Sequence, residues 1–148
     1  YPRELFCALA LWAKGDIAAA QPYFEQSRLV SEDSIRKGGG SRVRTALALA
    51  LAGLGRKSDA IQHGTLATEQ RSIAMDAVAG PPIAASLARV YLMVGEHEPA
   101  IALIEKVAAV PFGLSLSRLK RDPCYDPVRE HPRFQQLITE LEARAAAP

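Results

Sequence analysis

Ala88-Arg89-Val90-Tyr91-Leu92-Met93-Val94-Gly95, followed by Ala100, is the stretch that decides the fold. Its skeleton occurs twice more upstream at a spacing of 40 residues. Ala8, Ala48 and Ala88 fall in one column, Gly15, Gly55 and Gly95 in another, and Ala20, Ala60 and Ala100 in another. A fixed period of this size is the signature of a repeat array, in which one structural unit stacks on the next. Within a unit, the glycine ends a helix, since its missing Cβ permits a left-handed backbone.

Working outward from the comb, each unit reads as a helix, a glycine turn and a second helix. Residues 2–14 form the first helix, apolar nearly all round through Leu5, Phe6, Cys7, Leu9, Leu11 and Trp12. Such a helix needs neighbours on more than one side, here a further upstream repeat or a second copy. Asp16 offers an N-cap to a helix over about 17–35. Its inner face is read as Ala20, Phe24, Ser27 and Leu29, with Pro22 bending it or loosening its first turns. Lys37-Gly38-Gly39-Gly40-Ser41-Arg42 is a linker. It is not a phosphate loop, since no strand precedes it and the Walker spacing is absent.

Ser41 is read as the cap of a helix over 42–54, and the partner helix from Lys57 to about Val78 is long enough to stretch the period to 40 residues. Gly80-Pro81-Pro82 breaks the chain and starts a third pair, over 82–94 and 97–109, with Pro99 in a first turn and Ala100, Leu103, Ile104 and Val107 inside. Beyond Pro111 the pattern changes. Asp122-Pro123 and Asp126-Pro127 signal turns or caps. A last amphipathic helix over 132–145 places Phe134, Leu137, Ile138 and Leu141 on one stripe, as a cap over the last repeat.

Composition narrows the function classes. The chain has 148 residues and a formal net charge of +2, with both signs interspersed, so nothing points electrostatically to nucleic acid or a membrane surface. No apolar run is long enough to span a bilayer. Two cysteines, Cys7 and Cys124, make no disulfide framework and suit a reduced, cytoplasmic setting. The chain starts at Tyr1 and is read as part of a longer one. His63, His97 and His131 are scattered, with no ligand spacing for a metal. No nucleophile has an evident base. No catalytic constellation, cofactor or metal site is expected.

At these residues the chain resembles the tetratricopeptide repeat family, which places small residues at repeat positions 8 and 20, often glycine at the turn, and aromatics matched here by Tyr91 and Phe24. Glu4 and Arg44 stand where the family has tryptophan, and Gly64 stands where an aromatic is expected. The tail, from Val110-Pro111-Phe112-Gly113-Leu114-Ser115 through Leu119 to Gln135, is similar to the C-terminal end of a bacterial group. In that group such an array follows a kinase, cyclase, winged-helix or TolB-like domain.

The resemblance implies an all-α, right-handed α-α superhelix of tetratricopeptide type. One domain would hold three helical hairpins, about 2–36, 42–78 and 82–110, and a capping tail 111–148. It implies a non-enzymatic scaffold binding a protein or peptide segment in a concave groove lined by the first helices. Carried over, the lining is Leu5, Leu9 and Trp12, then Arg42, Thr45, Leu49 and Ala52, then Ala85, Arg89, Leu92 and Met93, with Pro2, Ala13, Gly53 and Pro82 beside them. The family's carboxylate clamp is not reproduced. The groove is expected to take an apolar or amphipathic segment, with Trp12 as anchor and an arginine pairing a carboxylate. Two rival expectations are a small-ligand sensor and a spacer that dimerises through helix 2–14.

Overall fold

In a computed structural model the described residues, 1–146, contain helices and no strand. The helices are α1 (Arg3–Ala13), α2 (Ile17–Arg36), α3 (Ser41–Gly53), α4 (Lys57–Gln70), α5 (Gly80–Met93), α6 (His97–Ala108), α7 (Leu116–Arg121), a 3₁₀ helix (Pro123–Val128) and α8 (Pro132–Ala146). Helix α1 packs on α2, α3 on α4 and α5 on α6. Helix α3 also lies against α1, α2 and α5, and α4 lies against α5.

The comb has a direct structural meaning. Gly15, Gly55 and Gly95 have φ of 80°, 75° and 79°, a backbone conformation that costs a side chain with a Cβ. At each, the residue after the glycine donates back to the helix: Asp16 N–H to Leu11 O, Arg56 N–H to Leu51 O and Glu96 N–H to Tyr91 O. The same Schellman turn closes the first helix of every pair. Ala8, Ala20, Ala48, Ala60, Ala88 and Ala100 are all fully buried where paired helices meet. Gly64 is explained by its neighbour: a Cβ there would lie 2.6 Å from Leu87 Cδ1, so α5 fills the space an aromatic would need.

Several boundaries differ from expectation. Helix α4 ends at Gln70, and residues 71–79 form turns. The carboxylate of Asp76 accepts from the N–H groups of Val78 and Ala79 at 3.0 and 2.8 Å, a local alternative to helix. The long repeat is thus lengthened by a loop, not by a longer helix. Gly40, not Ser41, is the N-cap of α3. Ser41 is the first helical residue, and its carbonyl accepts from Thr45 Oγ1 at 2.8 Å. Leu29 is exposed, and Ser31 takes the inner place after Ala20, Phe24 and Ser27, because the stripe advances by four, three and four residues. Helix α2 runs continuously through Pro22.

The tail is a structure of its own. Tyr125 and Phe134 stack with ring centroids 6.2 Å apart, and both are buried with Leu119 and Val128 against Ala84, Ala85 and Leu92 of α5 and Ile101 and Ile104 of α6. On α8 the expected stripe faces inward: Phe134 and Leu137 are buried, and Ile138 and Leu141 are partly buried. Arg133 reaches Glu105 at 2.6 Å and Glu98 at 3.3 Å, so ion pairs fasten α8 to α6, and His131, just before α8, lies 3.0 Å from Glu98. Trp12, Tyr91 and Leu103 join this C-terminal core to the N-terminal one.

Candidate functional site

The expected groove is largely closed. Leu5 is fully buried in the N-terminal core, so it needs no second copy or further repeat to cover it. Thr45, Leu49 and Ala52 are buried on α3, which is enclosed by α1, α2, α4 and α5. Alanines at 46, 48, 50 and 52 let those four neighbours approach, so beyond its first turn α3 becomes a core helix. Ala85 and Leu92 are buried under the tail. Leu9, Trp12 and Met93 are half-buried and pack on the core. Gly53 lies against the ring of Phe24. Of the expected lining, Arg42, Ala13 and Pro82 are exposed.

Arg89 is also reassigned. Its guanidinium donates to Asp122 Oδ2 at 2.7 Å. Asp122 Oδ1 accepts from Cys124 N–H at 3.0 Å and so caps the 3₁₀ helix. The carboxylate expected from a partner is therefore supplied by the chain's own tail. Desolvation opposes the charge on Asp122, but the Cys124 N–H and Arg89 outweigh it and hold the carboxyl below the usual range.

What remains open is a cavity of about 440 Å³ at the entrance of the first helices. Tyr1, Arg42, Arg71, Ile83, Ser86 and Arg118 form its wall. Arg42 stands in the first turn of α3 and Ile83 in the first turn of α5. Arg71 comes from the turn segment after α4, and Arg118 from α7. The Tyr1 hydroxyl lies 3.3 Å from Ser86 Oγ, which brings the N-terminus across to α5. Arg71 is 3.6 Å from Asp76, and Arg118 is 3.7 Å from Asp122. Arg42 makes no ion pair among the described residues, and it also borders a second recess of about 420 Å³ with Val30, Ser34 and Val43.

Sequence reasoning found Arg42 and missed the other arginines. Arg71 sat in a stretch read as helix. Arg118 belongs to a six-residue helix with a weak pattern, announced only by Ser115, whose Oγ accepts from Arg118 N–H.

Burial pushes the Cys124 thiol up to about 11, away from the thiolate a nucleophile requires. Among the described residues no three of His, Cys, Asp and Glu stand together as a metal site, and no helix is long and apolar enough to cross a membrane.

His63 is half-buried, its Nδ1 has no hydrogen-bond partner in the described structure, and burial followed by the nearby Arg44 lowers its pKa from 6.5. The unfolded chain then binds a proton more readily than the folded one. His63 contributes fully above about pH 6.5, and stability falls as pH drops toward the lower folded-state value. In thermal unfolding scans from pH 8 to pH 5, His63→Gln is expected to flatten the decline below pH 6.5; an unchanged decline would assign it to other groups.

No family model matches the chain, and neither a curated protein nor a solved structure matches it.

Proposed function

We propose that this domain is a non-enzymatic, helical-repeat interaction module of the tetratricopeptide type, carried beside a signalling or regulatory domain. It takes a segment of a partner protein at the cavity between its first helices. The repeat part of this reading is supported by the three glycine turns and the six buried alanines set 40 residues apart. The observation that carries the binding part is the cavity itself, which brings together exposed Arg42, apolar Ile83 and the Tyr1–Ser86 pair from separate elements. Such a mixture of apolar wall and a few oriented polar groups suits a bound segment.

The test is a peptide-display selection on the immobilised chain, followed by fluorescence anisotropy with the selected peptides. Arg42→Glu, at an exposed position, is expected to weaken binding by about tenfold or more, the loss typical of a charge-assisted contact. Lys106→Glu, at an exposed position of α6 away from the cavity, is expected to leave it unchanged. Peptides that bind both variants like the parent chain would sink the reading, and no selected peptide together with a small molecule that raises the thermal midpoint would favour a ligand sensor.

A second reading has its own observation. Phe6 is 58 % exposed on α1 beside Tyr1, with ring centroids 6.1 Å apart. A second copy covering this face makes the mass by light scattering rise with concentration, and Phe6→Glu abolishes that rise. A constant monomer mass would remove the dimer.

A further inference from the structure

The charge balance of the cavity is specific enough to name the chemistry of what it holds. Arg42, Arg71 and Arg118 line it, and none of its lining residues is acidic. Behind the wall, Arg118 shares Asp122 with Arg89, and Arg71 faces Asp76. Four arginines therefore stand against two aspartates, which leaves two positive charges unmatched. The pairings at the wall are loose, 3.6 and 3.7 Å, whereas Asp122 is held at 2.7 Å by Arg89 and by the Cys124 N–H. The two wall arginines thus keep donors for a ligand.

One helix end adds to the same field. The first turns of α3 and α5 border the cavity through Arg42, Pro82 and Ile83, and neither helix has a side-chain N-cap. The positive end of α3 favours an anion, whereas at α5 the Gly80 N–H is taken by Asp76 O and Pro81 and Pro82 have no N–H to offer. The Tyr1 hydroxyl stands at the same wall, its proton directed to Ser86 Oγ because the Ser86 hydroxyl donates to Pro82 O.

A carboxylate brings one charge and accepts one guanidinium fork. A phosphate monoester brings close to two charges near neutral pH and three acceptor oxygens. We propose that this cavity binds a phosphate monoester dianion. Resting on the reading above, that group is a phosphorylated side chain on the partner segment. The site draws Arg71 from the loop that lengthens the repeat and Arg118 from the tail. The anion therefore binds only where all three pairs and the tail are folded together.

The experiment uses the 148-residue chain. Inorganic phosphate, O-phosphoserine and acetate are titrated calorimetrically at equal ionic strength, and a degenerate peptide library with a central phosphoserine is compared with its serine counterpart. Phosphate and O-phosphoserine are expected to bind with acetate silent, and phosphopeptides to bind at least about tenfold tighter than their serine counterparts. Arg42→Gln and Arg118→Gln are each expected to lower this affinity by about tenfold, with circular dichroism unchanged. Binding also weakens below about pH 6, where the dianion gains a proton. Equal heats for phosphate and acetate, or arginine variants that bind like the parent, would overturn the proposal. Selection of unphosphorylated segments that still depend on Arg42 would overturn it while keeping the interaction module. Phosphate binding with no peptide of either kind would support the anion site and remove the partner segment.

Discussion

Phe24→Ala is expected to destabilise the chain by about 3–5 kcal/mol, the range for removing a fully enclosed aromatic ring. Phe24 is completely buried, and its ring lies against the backbone of Gly53. A Cβ built on Gly53 would sit 2.3–2.4 Å from the ring carbons, closer than real contacts allow. Gly53→Ala alone is therefore expected to cost about 1–3 kcal/mol through forced displacement of the ring or of α3. The two effects share one volume, so they are not additive. Phe24→Leu together with Gly53→Ala is expected to be more stable than the sum of the single changes implies, since the smaller side chain vacates the space the methyl enters. Urea unfolding of the parent, both single variants and the double variant measures this coupling. A strictly additive cycle would show that ring and glycine do not meet.

The second large effect is at the hinge between the repeats and the tail. Arg89→Glu is expected to destabilise by about 2–4 kcal/mol, somewhat below the loss for a fully buried pair because the site is partly open. The side chains of Arg89 and Asp122 are 20 % and 24 % exposed, so two carboxylates would face each other with limited solvent. The tail is expected to loosen first, seen as faster hydrogen exchange of Tyr125 and Val128 than of Leu47 and Leu51.

The charge swap, Arg89→Asp with Asp122→Arg, separates pairing from capping. It restores an ion pair but not the carboxylate that accepts from Cys124 N–H, so recovery is expected to be partial. Full recovery would mean the cap contributes nothing. The lowered pKa of Asp122 also has a sign. Its contribution is complete above the ordinary carboxyl value of 3.8 and is lost as pH falls through the lower folded-state value.

These two sites show where sequence reasoning held and where it stopped. The six buried alanines, the glycine turns and the inward stripe of α8 were legible because helix period and glycine's backbone freedom act within a few residues. Leu29 was misplaced by reading hydrophobicity without counting the angle around α2. The end of α4 at Gln70 was missed because no glycine or proline marks it, and the turn rests on the Asp76 side chain.

The candidate site was less legible than the fold. Arg42 was identified, yet as one charge in a mostly apolar groove. That groove is filled because α3 is small-sided enough for four helices to close on it. Arg89 was expected to await a carboxylate, and the carboxylate turned out to be Asp122, 33 residues further along the chain.

By itself the amino-acid sequence determined that this protein is helical and where its repeated turns fall, because those follow from local backbone preference and periodicity. Only the tertiary structure decided that the middle of the groove is core, that the tail neutralises Arg89, and that Tyr1, Arg42, Arg71, Ser86 and Arg118 share one cavity. Those are distances between parts of the chain far apart in sequence, and packing of the whole sets them.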